Sequence, residues 1–307
     1  MRKLNLLFTA LLLTCYVGTA KAHDFAVDGI YYNILSEEDK TVEVTFYGSY
    51  YQSMSNEYKD CVIIPSTVIY NSATYSVTSI GKSAFRRCTT LTRVEVPISV
   101  TSISTYAFTD CTGLTSIVIP NSVTSFDYYA FSNCSNIEEV NISDITAWCN
   151  IKFANKEANP LYCAHNLYVN GESVTKLIIP EDVTEIKNYA FYGCVGITEV
   201  VIPSSVTSIG SSVFYGCSSL TSVTSHITAE NLFKTNSFDG IDKTICTLYV
   251  PYGAKETYAA TTGWNEFANI VELGPEAVGG NCGADVNWTF ANGVLTISGN
   301  GNMDEMI

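Results

Sequence analysis

Three histidines are all that this 307-residue chain carries, and they stand in unrelated contexts at His23, His165 and His226. No H-E-x-x-H and no C-x-x-C occurs, so neither of the common zinc-ligand spacings is present. A G-x-S-x-G elbow and a phosphate-cradling glycine loop are missing too, which removes the familiar nucleophilic and nucleotide-dependent enzymes. Basic residues are scarce: 16 Lys and Arg stand against 30 Asp and Glu, a net charge of −14. Such a chain repels DNA, RNA and anionic lipid surfaces. The acid is scattered rather than blocked, and 47% of the chain is hydrophobic, which predicts a folded core rather than a disordered acidic tail.

Long apolar runs are confined to the N-terminus. The chain opens "MRKLNLLFTALLLTCYVGTAKAHDF", with Arg2 and Lys3 ahead of an apolar run from Leu4 to about Val17. Ala20-Lys21-Ala22 follows as a small-x-small cleavage site, so residues 1–22 are expected to be a secretory signal peptide. The run is shorter than the roughly 20 residues that span a bilayer, which argues against an anchor. Cleavage after Ala22 would leave 13 basic and 30 acidic residues, a net charge of −17. The mature chain is expected to be exported without membrane insertion, to the cell surface or medium, with the periplasm as the alternative.

What the chain has in abundance is itself. "SVTSIGKSAFRRC", "SVTSISTYAFTDC", "SVTSFDYYAFSNC", "DVTEIKNYAFYGC" and "SVTSIGSSVFYGC" are five versions of one phrase. Phe85, Phe108 and Phe131 recur every 23 residues, as do Phe191 and Phe214, with Cys88, Cys111, Cys134, Cys194 and Cys217 in step. A period in the twenties with Leu, Ile and Val at fixed offsets predicts a leucine-rich-repeat solenoid. "LTRVEVP", "LTSIVIP" and "ITEVVIP" alternate and are β-branched, as strands require. Pro97, Pro120, Pro180 and Pro203 end those strands, because proline cannot donate to a ladder. "SVTSI" reads as a second short strand with Val and Ile inward, and "AFxxC" as a short helical turn whose Phe plugs the core. One coil cannot bury its own apolar edge, so the expected fold is a β-rich, curved stack of parallel strands with short helical turns.

A cysteine repeated at five equivalent places reads as buried structure rather than a nucleophile. Stacked coils would hold the Cβ atoms near the strand spacing, beyond the ~3.5–4.5 Å of a disulfide, so free thiols are expected. Outside the column, Cys149 and Cys163 are left open as a bonded or an unbonded pair.

Four stretches depart from the repeat. Residues 23–60, with "GIYYNIL" and "TVEVTFYG", predict an N-terminal β-hairpin cap on the end of a solenoid spanning 61–272. Residues 143–176 break the period, and Asn170-Gly171 within them signals a two-residue turn, so a hairpin insertion is expected there. After Val223 the register loosens towards a last coil, a short helix and a closing strand. Residues 273–307 read as a linker plus an incomplete β-hairpin module turning at Asn292-Gly293.

The phrase "SVTSIGxxAFxxCxxLTSVxIP" resembles the BspA-like leucine-rich-repeat surface proteins of anaerobic gut and oral bacteria and of some parasites. The likeness covers about residues 61–272, and the opening "DFAVDGIYYNIL" and the closing "LYVPYGAKETYAATTGWNEFANIVEL" look like the two ends of such a module. The resemblance implies a curved, exported or surface-displayed solenoid associated with adhesion to host matrix proteins, other bacteria or host cells. It carries no shared catalytic residues. One departure is the lack of a recognisable anchor or sorting domain after the repeats, which sets free secretion beside surface retention.

Candidate chemistry is sparse. Asp239 and Asp242 in "FDGIDK" are the nearest thing to a cation site and read as a solvated turn, and His165 reads as a surface or hairpin-packing residue. No catalytic residue, metal or cofactor is expected. The third and fifth positions of each L-x-x-V-x-I strand should face the concave side. They supply the candidate partner-binding face: Arg93, Glu95, Ser116, Val118, Glu139, Asn141, Lys176, Ile178, Glu199, Val201 and Tyr249. Val118, Ile178 and Val201 are expected to form an apolar stripe there, of the kind that marks an interaction surface. The favoured expectation is a non-enzymatic, monomeric binding or adhesion protein with a protein partner. The alternatives are glycan capture, for which 20 tyrosines supply aromatic faces, and a purely structural envelope protein.

Overall fold

A computed structural model describes residues 23–48, 57–275, 278–283, 286–291 and 294–299. The expected signal peptide at 1–22 and the turn at Asn292-Gly293 lie outside the described residues. The chain is strand-rich, and its main sheets are parallel. Strands Leu91–Glu95, Ser116–Val118 and Glu139–Ile142 lie side by side with Val94, Ile117 and Val140 in register. A six-stranded face sheet runs from Asp60–Ile63 through these to Leu167–Val169 and the short antiparallel Glu172–Ser173. A second, five-stranded face sheet holds Lys176–Ile178, Glu199–Ile202, Ser222–Ser225, Thr247–Val250 and Asn269–Glu272. The "SVTSI" segments give the flank: Ser102–Ile103 and Ser125–Phe126 extend an eight-stranded sheet, and Glu185–Ile186 pairs with Ser208–Ile209.

The repeated threonines have a use that the sequence reading did not assign. Thr101 and Thr124 donate their hydroxyls to Thr78 O and Thr101 O, at 3.3 and 3.1 Å. Thr115, Thr198, Thr207 and Thr221 do the same across 23 residues. Two columns of threonines, one in the flank segments and one at the start of the face strands, thus add exposed hydrogen-bond ladders between coils.

The expectation of short helical turns at "AFxxC" is corrected. Ala84, Arg86 and Cys88 each donate to the carbonyl three residues back. Their neighbours Ser83, Phe85 and Arg87 donate instead to Thr105 O, Ala107 O and Thr109 O of the next coil, at 2.7–3.1 Å. Left-handed residues at Ser83 (φ 59°) and Arg87 (φ 61°) break the helix that successive i→i+3 bonds would otherwise propagate. Tyr106, Tyr129, Tyr189 and Ser212 repeat the first position, and Asp110, Asn133, Gly193 and Gly216 the second. Alternate N–H groups thus point along the stack and meet carbonyls of the next coil.

The core is a set of columns. Phe85, Phe108 and Phe131 stack at 5.0 and 4.9 Å, and Phe191, Phe214 and Phe238 at 5.7 and 5.2 Å. Each end is closed by an aromatic ring with a polar handle. Tyr58 packs on Phe85 and donates to Thr45 O at 2.6 Å, while Trp264 packs on Phe238 and donates to Phe233 O at 2.8 Å. Beside the rings, Cys111, Cys134 and Cys217 point their thiols at Phe85 O, Phe108 O and Phe191 O, at 2.9–3.3 Å. Nine cysteines from Cys61 to Cys246 are free thiols, Cys149 and Cys163 included. Cys163 joins the column, 3.4 Å from Phe131 O.

The hairpin expected across 143–176 occupies only part of it. Leu167–Val169 and Glu172–Ser173 form that hairpin, with Asn170 (φ 52°) and Gly171 (φ 84°) at the turn. The rest is a modified coil: a helix at Ile145–Cys149, a strand at Lys152–Phe153 paired with Ser125–Phe126, a 3-10 turn at Lys156–Ala158 and a helix at Leu161–Ala164. Asp144 caps the first helix by accepting from Ala147 N. A second hairpin, unforeseen, joins Thr67–Tyr70 to Ala73–Ile80 through left-handed Asn71 and Ser72. At the N-terminus Ile30–Ser36 and Thr41–Thr45 pair antiparallel, and the latter continues the flank sheet by pairing with Ala73–Ile80. The expected last helix and closing strand fall at Lys255–Ala260 and Asn269–Glu272.

Candidate binding face

The face sheets place their third and fifth positions in rows. In the first sheet Ile63, Glu95, Val118, Asn141 and Tyr168 follow one another across the strands, as do Cys61, Arg93, Ser116 and Glu139. In the second sheet the rows are Ile178, Val201, Thr224, Tyr249 and Val271, beside Lys176, Glu199, Ser222, Thr247 and Asn269. The intervening residues, such as Val94, Ile117, Val140, Leu177 and Val200, are fully buried, so the strand alternation fixes which side chains face out.

Val118 is 42% exposed and Ile178 54%, while Val201 is half-buried. The stripe expected through all three is divided. Val118 sits in the first sheet, Ile178 and Val201 in the second, and Asn141 and Tyr168 follow Val118 in its row. Two further apolar residues share these rows and were missed: Ile63, 63% exposed, and Val271, 43% exposed. Both were readable, since "CVIIP" and "NIVEL" carry them at the same pattern position as Val118 in "SIVIP".

Charge is arranged differently in the two sheets. Arg93 pairs with Glu95 at 3.0 Å, and Lys176 with Glu199 at 3.1 Å across strands. Glu139 has no such cation among the described residues. Its carboxylate accepts from Asn141 Nδ2 at 3.3 Å. Beside Val118 lies an open groove of about 490 Å³, lined by Ile98, Pro120, Asn141, Ile142 and the Asn170-Gly171 turn.

The turn edge carries tyrosines. Tyr106 stacks on Tyr129 at 5.5 Å and Tyr192 on Tyr215 at 5.1 Å, with Lys156 Nζ 5.5 Å from the Tyr162 ring and 5.8 Å from that of Tyr192. Tyr128, Tyr129 and Tyr215 remain substantially exposed. The remaining candidates are engaged in local structure. Asp242 accepts from Thr244 N and its hydroxyl, which lowers its pKa, and Asp239 pairs with Lys243 at 3.6 Å. His165 Nδ1 lies 3.0 Å from Gly193 O, a packing contact. No cluster of three or more His, Cys, Asp or Glu that could hold a metal occurs among the described residues. Nor does any described helix have the length and apolar character to cross a membrane.

The coils, columns and period define a leucine-rich-repeat protein. A family model described as "BspA type Leucine rich repeat region" matches in six copies over residues 53–161 and 163–249, so the chain belongs to that family. Similar solved structures include a leucine-rich-repeat protein of T. pallidum, at 20% identity, TM-score 0.36, covering 73% of this chain and 86% of that one. Another, from Bacteroides capillosus, has 26% identity and a TM-score of 0.37, covering 48% and 98%. A leucine rich cell surface protein of Faecalibacterium prausnitzii has 16% identity and a TM-score of 0.30, covering 82% and 95%. No curated protein matches the chain. The family is one of repeat-built binding proteins, in keeping with the expectation of a binding rather than a catalytic role.

Proposed function

We propose that this chain is an exported binding protein whose coils form one curved solenoid and dock a protein partner, a host matrix or cell-surface protein, on the face sheets. In this reading residues 1–22 direct export and the N-terminal hairpin caps one end of the stack. Residues 61–272 carry the binding surface, and the antiparallel strands Val278–Gly283, Val286–Ala291 and Val294–Gly299, the first of them in the stretch expected to be a linker, belong to a further module. The chain acts as a monomer at the cell surface or in the medium.

The observation that carries the reading is the exposure of Ile63, Val118, Ile178 and Val271 at one strand position on a rigid, ladder-bonded backbone. Apolar side chains held outward on a preorganised surface lose little entropy on docking. Glycan capture has a specific observation of its own, the tyrosine clusters on the turn edge, but their stacked rings already cover one another's faces.

Binding to immobilised matrix proteins and to neutral and anionic glycans would separate the two. The protein reading expects saturable protein binding that a Val118→Glu/Ile178→Glu variant of unchanged melting temperature abolishes. Glycan binding lost in a Tyr128→Ala/Tyr215→Ala variant, with no protein bound, would overturn it.

A further inference from the structure

Among the described residues, the first face sheet combines an apolar recess with a carboxylate that no Lys or Arg neutralises. The groove beside Val118 has Ile98, Val118, Ile119, Pro120 and Ile142 in its lining, and Ile98 is 71% exposed. Its volume of about 490 Å³ is in the range of sites that seat a drug-sized ligand or a few side chains. Asn141 and Asn170 supply its polar rim. Asn141 also donates to Glu139, which places that carboxylate one hydrogen bond from the lining.

The register makes the comparison direct. Glu139 in the first sheet and Glu199 in the second occupy the same pattern position, two residues before the outward-facing fifth residue. Glu199 is neutralised by Lys176, whereas Glu139 has no Lys or Arg partner among the described residues. Arg93 in the same row is turned to Glu95. The charge left over at the groove is negative, on a chain whose net charge is −14. A ligand that fills an apolar recess and meets a free carboxylate at its rim carries an apolar side chain next to a cation.

From this geometry we infer that the Val118 groove is the anchor site of the face, and that it takes an extended peptide segment bearing Leu, Ile or Phe beside Lys or Arg. The inference rests on the protein-docking reading above and narrows it to one sheet and one partner chemistry. The apolar side chain enters between Ile98 and Val118, and the cation reaches Glu139.

The test pans a displayed library of random peptides against the full chain and reads the selected sequences. Selected peptides should pair Lys or Arg with an adjacent large apolar residue. Val118→Asp should weaken them about tenfold or more, the scale of an interface hot spot. Glu139→Gln should weaken them less and flatten their salt dependence. Both sites are on the surface, and unchanged melting temperatures confirm the fold of each variant. Peptides without a cation, or indifferent to Val118→Asp, overturn the inference. If they are instead lost on Ile178→Asp, the groove is wrong while docking on the face stands. Peptides indifferent to both variants, or no enrichment at all, retire both readings.

Discussion

The regular coils and the coil at 143–166 solve the same problem with different groups. In a regular coil the carbonyls of the turn accept from backbone amides of the coil before it: Tyr106 N to Tyr128 O, Phe108 N to Ala130 O, Asp110 N to Ser132 O, at 2.8–3.1 Å. In the modified coil Val140 pairs with Leu167, 27 positions on instead of 23. Its turn cannot present amides to the coil that follows, and side chains take their place. Trp148 Nε1 donates to Ala190 O at 2.8 Å, and Asn159 Nδ2 to Tyr189 O and Ala190 O at 2.8 and 3.1 Å. The ring column is interrupted as well. Ala158, the last residue of the 3-10 turn, is fully buried, while Trp148 and Phe153 pack at 5.4 Å and Phe153 stacks on Phe126 at 5.2 Å. A repeat thus tolerates one irregular rung if its buried carbonyls are still met and its volume still filled.

The largest effect that would test this comparison is alkaline unfolding, because the thiol column runs through both kinds of coil. Burial raises the pKa of Cys194 and Cys246 from 9.0 to about 12, and those of Cys111, Cys134, Cys149 and Cys217 also upward. The unfolded chain releases these protons at the lower pH, so the stabilisation is whole below pH 9 and is lost as pH rises towards 12. Circular dichroism against pH should show cooperative unfolding in that window, and a chain still folded at its top would contradict the burial of the column.

Next comes Phe108→Ala, which empties a fully buried site between two stacked rings and should cost about 3–5 kcal/mol in urea unfolding. The modified coil should be more sensitive to a polar change than to a missing ring. Asn159→Ala strands the buried amide of Leu161 and leaves Tyr189 O with only its Tyr192 N–H donor, and should cost about 1–3 kcal/mol. Hydrogen exchange should then open residues 185–194 ahead of the regular coils, and uniform protection would show that the side-chain bonds are dispensable. Thr124→Val removes one exposed rung of the threonine ladder and should cost no more than about 0.5–1.5 kcal/mol, read as a small shift in urea midpoint.

How much of this was legible follows the period. Strands, buried Leu, Ile, Val and Phe, and the cysteine column could be read because one local pattern is imposed at every step. The helical reading of "AFxxC" failed because i→i+3 bonding and a short apolar phrase look helical one residue at a time. Nothing in Ser83, Tyr106 or Tyr129 announces a positive φ, and glycine marks it only at Gly193 and Gly216. The hairpin at Asn71-Ser72 was missed because Ser is an uncommon partner for Asn in a turn that needs two positive φ values. On the face, the sequence located the outward positions and misjudged their continuity. Val118 and Ile178 look like neighbours in a list of repeats, yet the Glu172–Ser173 strand ends one sheet between them.

By itself, then, the sequence determined the coil, its inward side chains, the thiol column, the family and the outward positions of the face, since each is a local pattern multiplied by stacking. Only the tertiary structure decided what happens at the broken rung: that Trp148 and Asn159 supply the missing donors, that the face divides into two sheets, and that Glu139 is left beside the Val118 groove while Glu199 is neutralised. These depend on which residues meet across coils of unequal length, and no pattern within a single coil encodes that meeting.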